Sequence, residues 1–321
     1  MRRPVTLLAV LAVFAAALLL PVYLGGYNVR VLNLAVISAI AVLGLNFAFG
    51  WAGLITLAQA GFVGVGAYAT GLLTTRFGVY PLLAIPAAAA AAGVMAFVIG
   101  LPMLRLKGHY LALATLGFNV SFEIVANNWV SVLGGTDGIS GIPVIAAGGF
   151  AFDTDARFFY LLWSVLAVLT WVAHRIRTSH LGLAMIAVRD DEIATGTSSV
   201  SLVRIKTQAF VLSAVYAGIA GALFAHMANY ISPGDFALVH SITYLAMLII
   251  GGEGSILGAI AGAVIVTFLP EWLRFLGSLY LALFGVLMVV ILVFLPKGLV
   301  SLILDMPGTL VRLRGRRATS A

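Results

Sequence analysis

The chain has 321 residues, of which 62% are hydrophobic and 9% charged, against about 25% charged residues in an ordinary soluble domain. This composition excludes a soluble globular protein and describes one polytopic transmembrane domain over 1–321. The net charge of +7 sits in short clusters beside apolar spans, a positive-inside pattern that leaves no basic stripe for nucleic acid. There is no cysteine, so neither disulfides nor thiolate metal sites are available.

Arg2 and Arg3 precede an apolar run at 5–24. That run is longer than the roughly 7–15 residues of a cleaved signal core, which predicts an uncleaved first span and a cytoplasmic N-terminus. Further stretches of about the 20 residues needed to cross lie at 29–49, 53–73, 81–104 and 110–130. The basic turn Arg105-Leu106-Lys107-Gly108-His109 returns the chain to the cytoplasmic side. Residues 131–157, acidic and glycine-rich, fit the outside, and a span at 158–173 leads back in.

The passage 174–208 is the only long polar stretch in the interior of the chain and is therefore a cytoplasmic loop. A span at 208–230 exits to the turn Ser232-Pro233-Gly234-Asp235, and the basic tail 297–321, with Lys297, Arg312, Arg314, Arg316 and Arg317, lies inside. With a span at 278–296, residues 240–270 must cross twice or not at all. Gly251-Gly252-Glu253-Gly254-Ser255 divides that passage into pieces short for complete spans. The expectation is a re-entrant or discontinuous helix pair in an all-α protein of about eight to ten membrane segments.

Discontinuous helices in corresponding halves mark the pathway of a transporter. Gly50-Trp51-Ala52-Gly53 followed by Gly61 matches Gly251-Gly252-Glu253-Gly254 followed by Gly262, with one offset of 201. This suggests an internal repeat, and small-residue stripes for close helix packing explain the same glycines equally well. Among polar residues inside spans, Asn46, Gln59, Asn119, Glu123, Asn127 and Asn128 stand out. Glu123 is either functional or a carboxyl reaching the headgroups near a span end.

A chain of titratable residues for proton or sodium coupling is missing, and no phosphate-cradling loop, H-E-x-x-H or G-x-S-x-G pattern occurs. No catalytic residue, cofactor or metal is therefore expected. Within 174–208, the runs Leu181–Val188 and Glu192–Ala194 are helix-compatible and separated by charges. A small surface helix of that kind suits docking on a soluble subunit.

Ordered motifs then identify a resemblance. They are Gly44-Leu45-Asn46, Gly53-Leu54, Gly66-Ala67-Tyr68, Arg105-Leu106-Lys107-Gly108, Asn127-Asn128-Trp129, Gly134-Gly135-Thr136-Asp137-Gly138-Ile139, Arg189-Asp190-Asp191-Glu192-Ile193-Ala194, Ala217-Gly218-Ile219-Ala220-Gly221, Ile231-Ser232-Pro233, Gly251-Gly252-Glu253-Gly254-Ser255 and Pro296-Lys297-Gly298-Leu299. Over nearly its whole length the chain resembles the LivM-like permease subunits of branched-chain amino acid ABC importers.

The resemblance implies a LivH-like second permease subunit, two cytoplasmic ATP-binding subunits and a periplasmic or lipid-anchored solute-binding protein, in the cytoplasmic (inner) membrane of a prokaryote. It also implies that Arg189, Asp190, Asp191, Glu192, Ile193 and Ala194 form the segment received by an ATPase. Two positions depart from the family's pattern: the glutamate and arginine usual in the fifth span are Val120 and Glu123 here, and the glycine after the coupling segment is Ser199. Relatives also carry urea and short amides, which leaves the solute open.

The leading expectation is a non-catalytic, lipid-embedded subunit moving branched-chain or related amino acids. Its pathway is expected to be lined by Asn46, Gly53, Gln59, Glu123, Asn127 and the break Gly251, Gly252, Glu253 and Gly254. A self-sufficient secondary transporter or channel is the alternative, and a membrane-embedded enzyme would need a nucleophile or metal cluster that the sequence lacks.

Overall fold

The computed structural model describes residues 21, 25–147, 150–197, 201–273 and 285–286. The spans expected at 5–24 and 278–296, the tail 297–321 and Ser199 therefore fall almost wholly outside the described residues. Among those described, seven helical stretches are long and apolar enough to cross a membrane. Strands are confined to two-residue pairings, so the protein is an all-α multi-pass membrane protein.

Helix α1 (Gly26–Leu45) is apolar all round and buries 14 of its 20 residues, as a helix at the centre of a bundle must. It runs into a π-helical turn, Asn46–Trp51, a wider coil that often marks a functional position. Residues 53–58 are not helical, and α2 (Gln59–Thr75) starts only afterwards. The continuous span expected at 53–73 is thus a non-helical segment followed by a shorter helix.

Helix α3 (Pro81–Met103) opens with proline at its first position, where the missing N–H costs nothing. Helix α4 (His109–Asn128) follows the basic turn. The next segment contains one helical turn, Val130–Leu133, and strands β1 (Ile139–Ser140), β2 (Ala146–Ala147) and β3 (Phe150–Ala151). Thr154 caps α5 (Asp155–Arg177), whose last turn carries His174, Arg175 and Arg177, cations suited to the negative end of the helix dipole.

The expected loop 174–208 is mostly helical. The end of α5, then α6 (His180–Asp190), α7 (Glu192–Thr197) and the start of α8 (Leu202–Ala228) occupy it. Asn229, in the left-handed conformation, ends α8. Strand β4 (Tyr230–Ile231) pairs with β1, and a capped 3-10 turn at Pro233–Phe236 leads to α9 (Leu238–Gly251) and α10 (Ile256–Leu273).

Backbone contact at glycines sets the packing. A Cβ on Gly221 of α8 would stand 1.9 Å from the Val63 carbonyl of α2, and one on Gly66 of α2 would stand 2.3 Å from the Gly218 carbonyl. Gly218 also meets Ala88, Ala89 and Ala92 of α3. In lipid, where burial of apolar surface adds no drive, such small-residue contacts are what hold helices together. The outward faces of α3 and α4 remain apolar and exposed, with Val94, Phe97, Leu113 and Ile124 among them, as lipid requires.

The same device joins α9 to α10. Gly251 abuts Gly258, and Gly262 abuts the Met247 carbonyl, which makes the two helices an antiparallel hairpin turning at Gly252–Ser255. Together with the preceding 3-10 turn they form stretches of 19 and 18 residues, longer than the fragments read from the sequence. The expected discontinuous pair is two helices broken at Gly252–Ser255 and folded back as a hairpin, each stretch long and apolar enough to cross a membrane.

Candidate functional site

The two glycine-rich passages meet in space. Asn46, fully buried at the start of the π-turn, accepts a hydrogen bond from the Gly254 N–H at 2.9 Å and donates to the Ser255 carbonyl at 3.3 Å. The Trp51 indole N–H donates to the Gly254 carbonyl at 3.0 Å. The turn between α9 and α10 has few internal backbone bonds, so these side chains satisfy groups that would otherwise be stranded.

Arg189, near the end of α6, reaches the same place. Its guanidinium donates to the Gly50 carbonyl and forms an ion pair with Glu253. Gly53 (φ 67°) and Gly254 (φ 76°) both adopt left-handed backbone beside it, a conformation that costs a residue bearing a Cβ roughly 1–2 kcal/mol. The segment expected to face outward toward a partner therefore sends its arginine inward.

The remaining residues of that segment divide by direction. Asp191 accepts from the Ile193 and Ala194 N–H groups, both at 2.9 Å, capping α7. Glu192 pairs at 2.7 Å with Lys206 of α8, whose side chain is 9% exposed. Ile193, by contrast, is 82% exposed, and Asp190 is exposed with no ion pair among the described residues. Below them lies a polar cleft of about 160 Å³ lined by Gly53, Lys107, Arg189, Glu192 and Lys206, among others. The basic turn 105–109 and both glycine breaks are thus at one end of the molecule.

A second polar cluster surrounds the start of α2, deep in the bundle. The first N–H groups of a helix lack intrahelical partners, and here Ala60 N–H donates to Ser241 Oγ at 2.9 Å and Gly61 N–H to Asn119 Oδ1 at 2.6 Å. Thr115 accepts from Leu57 N–H at 3.0 Å. Gln59 bridges three helices, donating to the Ala41 carbonyl at 2.6 Å and accepting from Ser213 Oγ at 2.9 Å. Ser241 and Thr115 had no signal in the sequence, because isolated hydroxyls inside spans are common and only folding aims them at a helix start.

Of the residues expected to line a pathway, Asn46 and Gln59 are buried and engaged between helices, while Gly53, Glu253 and Gly254 cluster around Arg189. Gly251 ends α9 against Gly258 of α10, and Gly252 opens the turn of the α9–α10 hairpin. Glu123 and Asn127 lie apart from these, half-buried on α4, near the opposite end. No group of His, Asp or Glu suited to a metal occurs among the described residues.

Helices long enough to span, glycine-mediated contacts between them, and buried side chains that cap an interrupted helix define a polytopic membrane protein. The chain belongs to the family described as branched-chain amino acid transport system, permease component, whose model matches residues 27–295. It is 34% identical to the high-affinity branched-chain amino acid transport system permease protein LivM of Escherichia coli K12, over 92% of this chain and 75% of that protein. It is 24% identical to a probable LivM permease of Methanocaldococcus jannaschii, over 80% of this chain and 88% of that one. Similarity to the fructose import permease FrcC of Rhizobium meliloti, at 32% identity, is limited to 37% of this chain and 31% of that protein. No solved structure matches.

Proposed function

We propose that this permease carries branched-chain or related amino acids as one subunit of an ABC importer in the inner membrane of a prokaryote. Its partners are a LivH-like permease subunit, two cytoplasmic ATP-binding subunits and a periplasmic or lipid-anchored solute-binding protein. The solute reading draws support from the family and from the 34% identity to the Escherichia coli protein. Both chain termini and the α6–α7 end lie on the cytoplasmic side in this reading, in agreement with the basic turn at Arg105–His109.

The observation that carries the docking role is the 82% exposure of Ile193 on a short helix where Asp191 is engaged by the α7 amides and Glu192 by Lys206. An exposed aliphatic side chain on a rigid, capped projection is the anchor that a protein surface buries, whereas exposed ion pairs add only about 0–1 kcal/mol. Gly53, Gly251, Gly252, Glu253 and Gly254 then belong to the inner mouth of the pathway, with Asn46 and Gln59 holding the helices that bound it. Glu123 and Asn127 are assigned to its outer part.

Ile193→Asp tests the docking role in the complete assembly. The ATP-binding subunits are expected to be lost on purification while the permease inserts normally. Retention of those subunits with undiminished uptake would remove Ile193 from the contact.

A further inference from the structure

We propose that Arg189 is a positioning residue for transport, clasping Glu253 and the Gly50 carbonyl so that α6 moves the ends of both glycine-rich breaks as one body. This rests on the docking reading given above and adds to it the route by which motion enters the bundle.

Three observations support the clasp independently of one another. The first is connectivity. The α9–α10 turn is already sewn to the end of α1 by Asn46 and Trp51, through Gly254 and Ser255, and Arg189 joins α6 to both partners of that seam. The second is space. Gly53 and Gly254 flank the side chain, and a Cβ on each would stand 3.1 Å from Arg189 Cγ and 3.4 Å from Nη1. A Cβ at Gly53 crowds the path that the side chain takes, and one at Gly254 would already touch the guanidinium.

The third is anchoring of the neighbouring helix. Glu192 ties α7 to Lys206 at the start of α8, the helix whose glycines meet α2 and α3. Motion of the α6–α7 unit therefore has two exits, through Lys206 into α8 and through Arg189 into α1 and the hairpin turn. A guanidinium suits the second exit because its fixed fork of donors engages two acceptors at once, which a lysine ammonium on a flexible stem does not reproduce.

The complete assembly in proteoliposomes, with its solute-binding protein, provides the test through Arg189→Lys and Glu253→Gln. Both variants preserve side-chain bulk, so insertion and folding are retained. ATP-binding subunits are expected to copurify as with the wild type, and ATP hydrolysed per solute taken up is expected to rise on the order of tenfold, within the range typical of coupling between sites. The double variant is expected to be no worse than the stronger single one, because the two residues share one interaction.

Spin labels on exposed Leu183 of α6 and Leu257 of α10 supply a readout of the motion itself. One unchanged distance before and after ATP trapping is expected in the wild type, with a broadened distribution in Arg189→Lys. Full coupled uptake by both single variants, or a label distance that changes during the wild-type cycle, overturns the clasp while leaving docking intact. Loss of ATPase binding in Arg189→Lys overturns it as well, by placing Arg189 in the docking face. A wild-type chain that binds no ATPase overturns the docking reading and the clasp with it.

Discussion

Gly53 and Gly254 adopt the same left-handed backbone, at φ 67° and 76°, and face the same arginine, Arg189, from the two glycine-rich breaks. The matched positions of the sequence pattern are therefore in register at the break itself. They diverge immediately afterwards. Helix α10 begins at Ile256, directly after its break, whereas residues 53–58 form a non-helical connection before α2 begins.

Alanine at either glycine pays the left-handed penalty, roughly 1–2 kcal/mol. Gly53→Ala carries an added cost because its Cβ stands 3.1 Å from Arg189 Cγ, against 3.4 Å from a flexible guanidinium end for Gly254→Ala. The thermal unfolding midpoint of the purified protein in detergent is expected to fall for both, and further for Gly53→Ala.

Asn46→Ala removes the acceptor of the Gly254 N–H and the donor to the Ser255 carbonyl at a fully buried position. The stranded backbone groups predict a loss of about 1–3 kcal/mol. Asn128→Ala is the control, since Asn128 is exposed and donates only to its own helix at Ile124. Denaturant titrations of the two variants should differ accordingly, and equal midpoints would show that the seam contributes little.

Gly221→Val forces a side chain against the Val63 carbonyl, where even a Cβ would be 1.9 Å away. Separation of α2 from α8 is expected, seen as failure to obtain monodisperse protein. Gly117→Val, on an exposed face of α4 with nothing within 4 Å, is expected to leave monomer stability unchanged.

Charge reversal across Asp190, Asp191 and Glu192 is expected to give three different results. Asp190→Lys leaves the fold intact and alters only partner binding. Asp191→Lys loses the α7 cap, a cost of about 0.5–2 kcal/mol. Glu192→Lys sets two cations together beside a side chain that is 9% exposed and is the most damaging. Hydrogen exchange of α7 amides separates the three, and uniform protection would contradict the assignment.

Glu123→Gln is expected to lower solute uptake with ATPase binding unchanged, because Glu123 is half-buried on α4 rather than fully turned to lipid. Wild-type uptake would return this carboxyl to a headgroup-facing role.

Much of the fold was legible. Apolar length located α1, α3, α4 and α5 to within a few residues, α8 begins six residues before the span expected at 208, and the charged punctuation of 174–208 separated α6 from α7. The break between α1 and α2 was not located correctly. Its sequence, Leu54-Ile55-Thr56-Leu57-Ala58, is as apolar as a helix. What delays the helix to Gln59 is the supply of side-chain acceptors from α4 and α9: Thr115 takes the Leu57 N–H of the non-helical stretch, and Ser241 and Asn119 take the first N–H groups of α2. Those partners lie between about 58 and 181 positions away, and no local pattern records them.

Composition and periodic apolar length by themselves determined that this is a helical membrane protein, because hydrocarbon admits only backbones that satisfy their own hydrogen bonds. Motif order determined the family. The direction of each charged side chain in the coupling segment was decided only by tertiary structure. Arg189, Asp191 and Glu192 look alike as a charged run, yet one reaches the glycine breaks, one caps a helix and one pairs with Lys206. Charge type is written in the chain, whereas the partner that lowers its energy is supplied by residues brought near in folding.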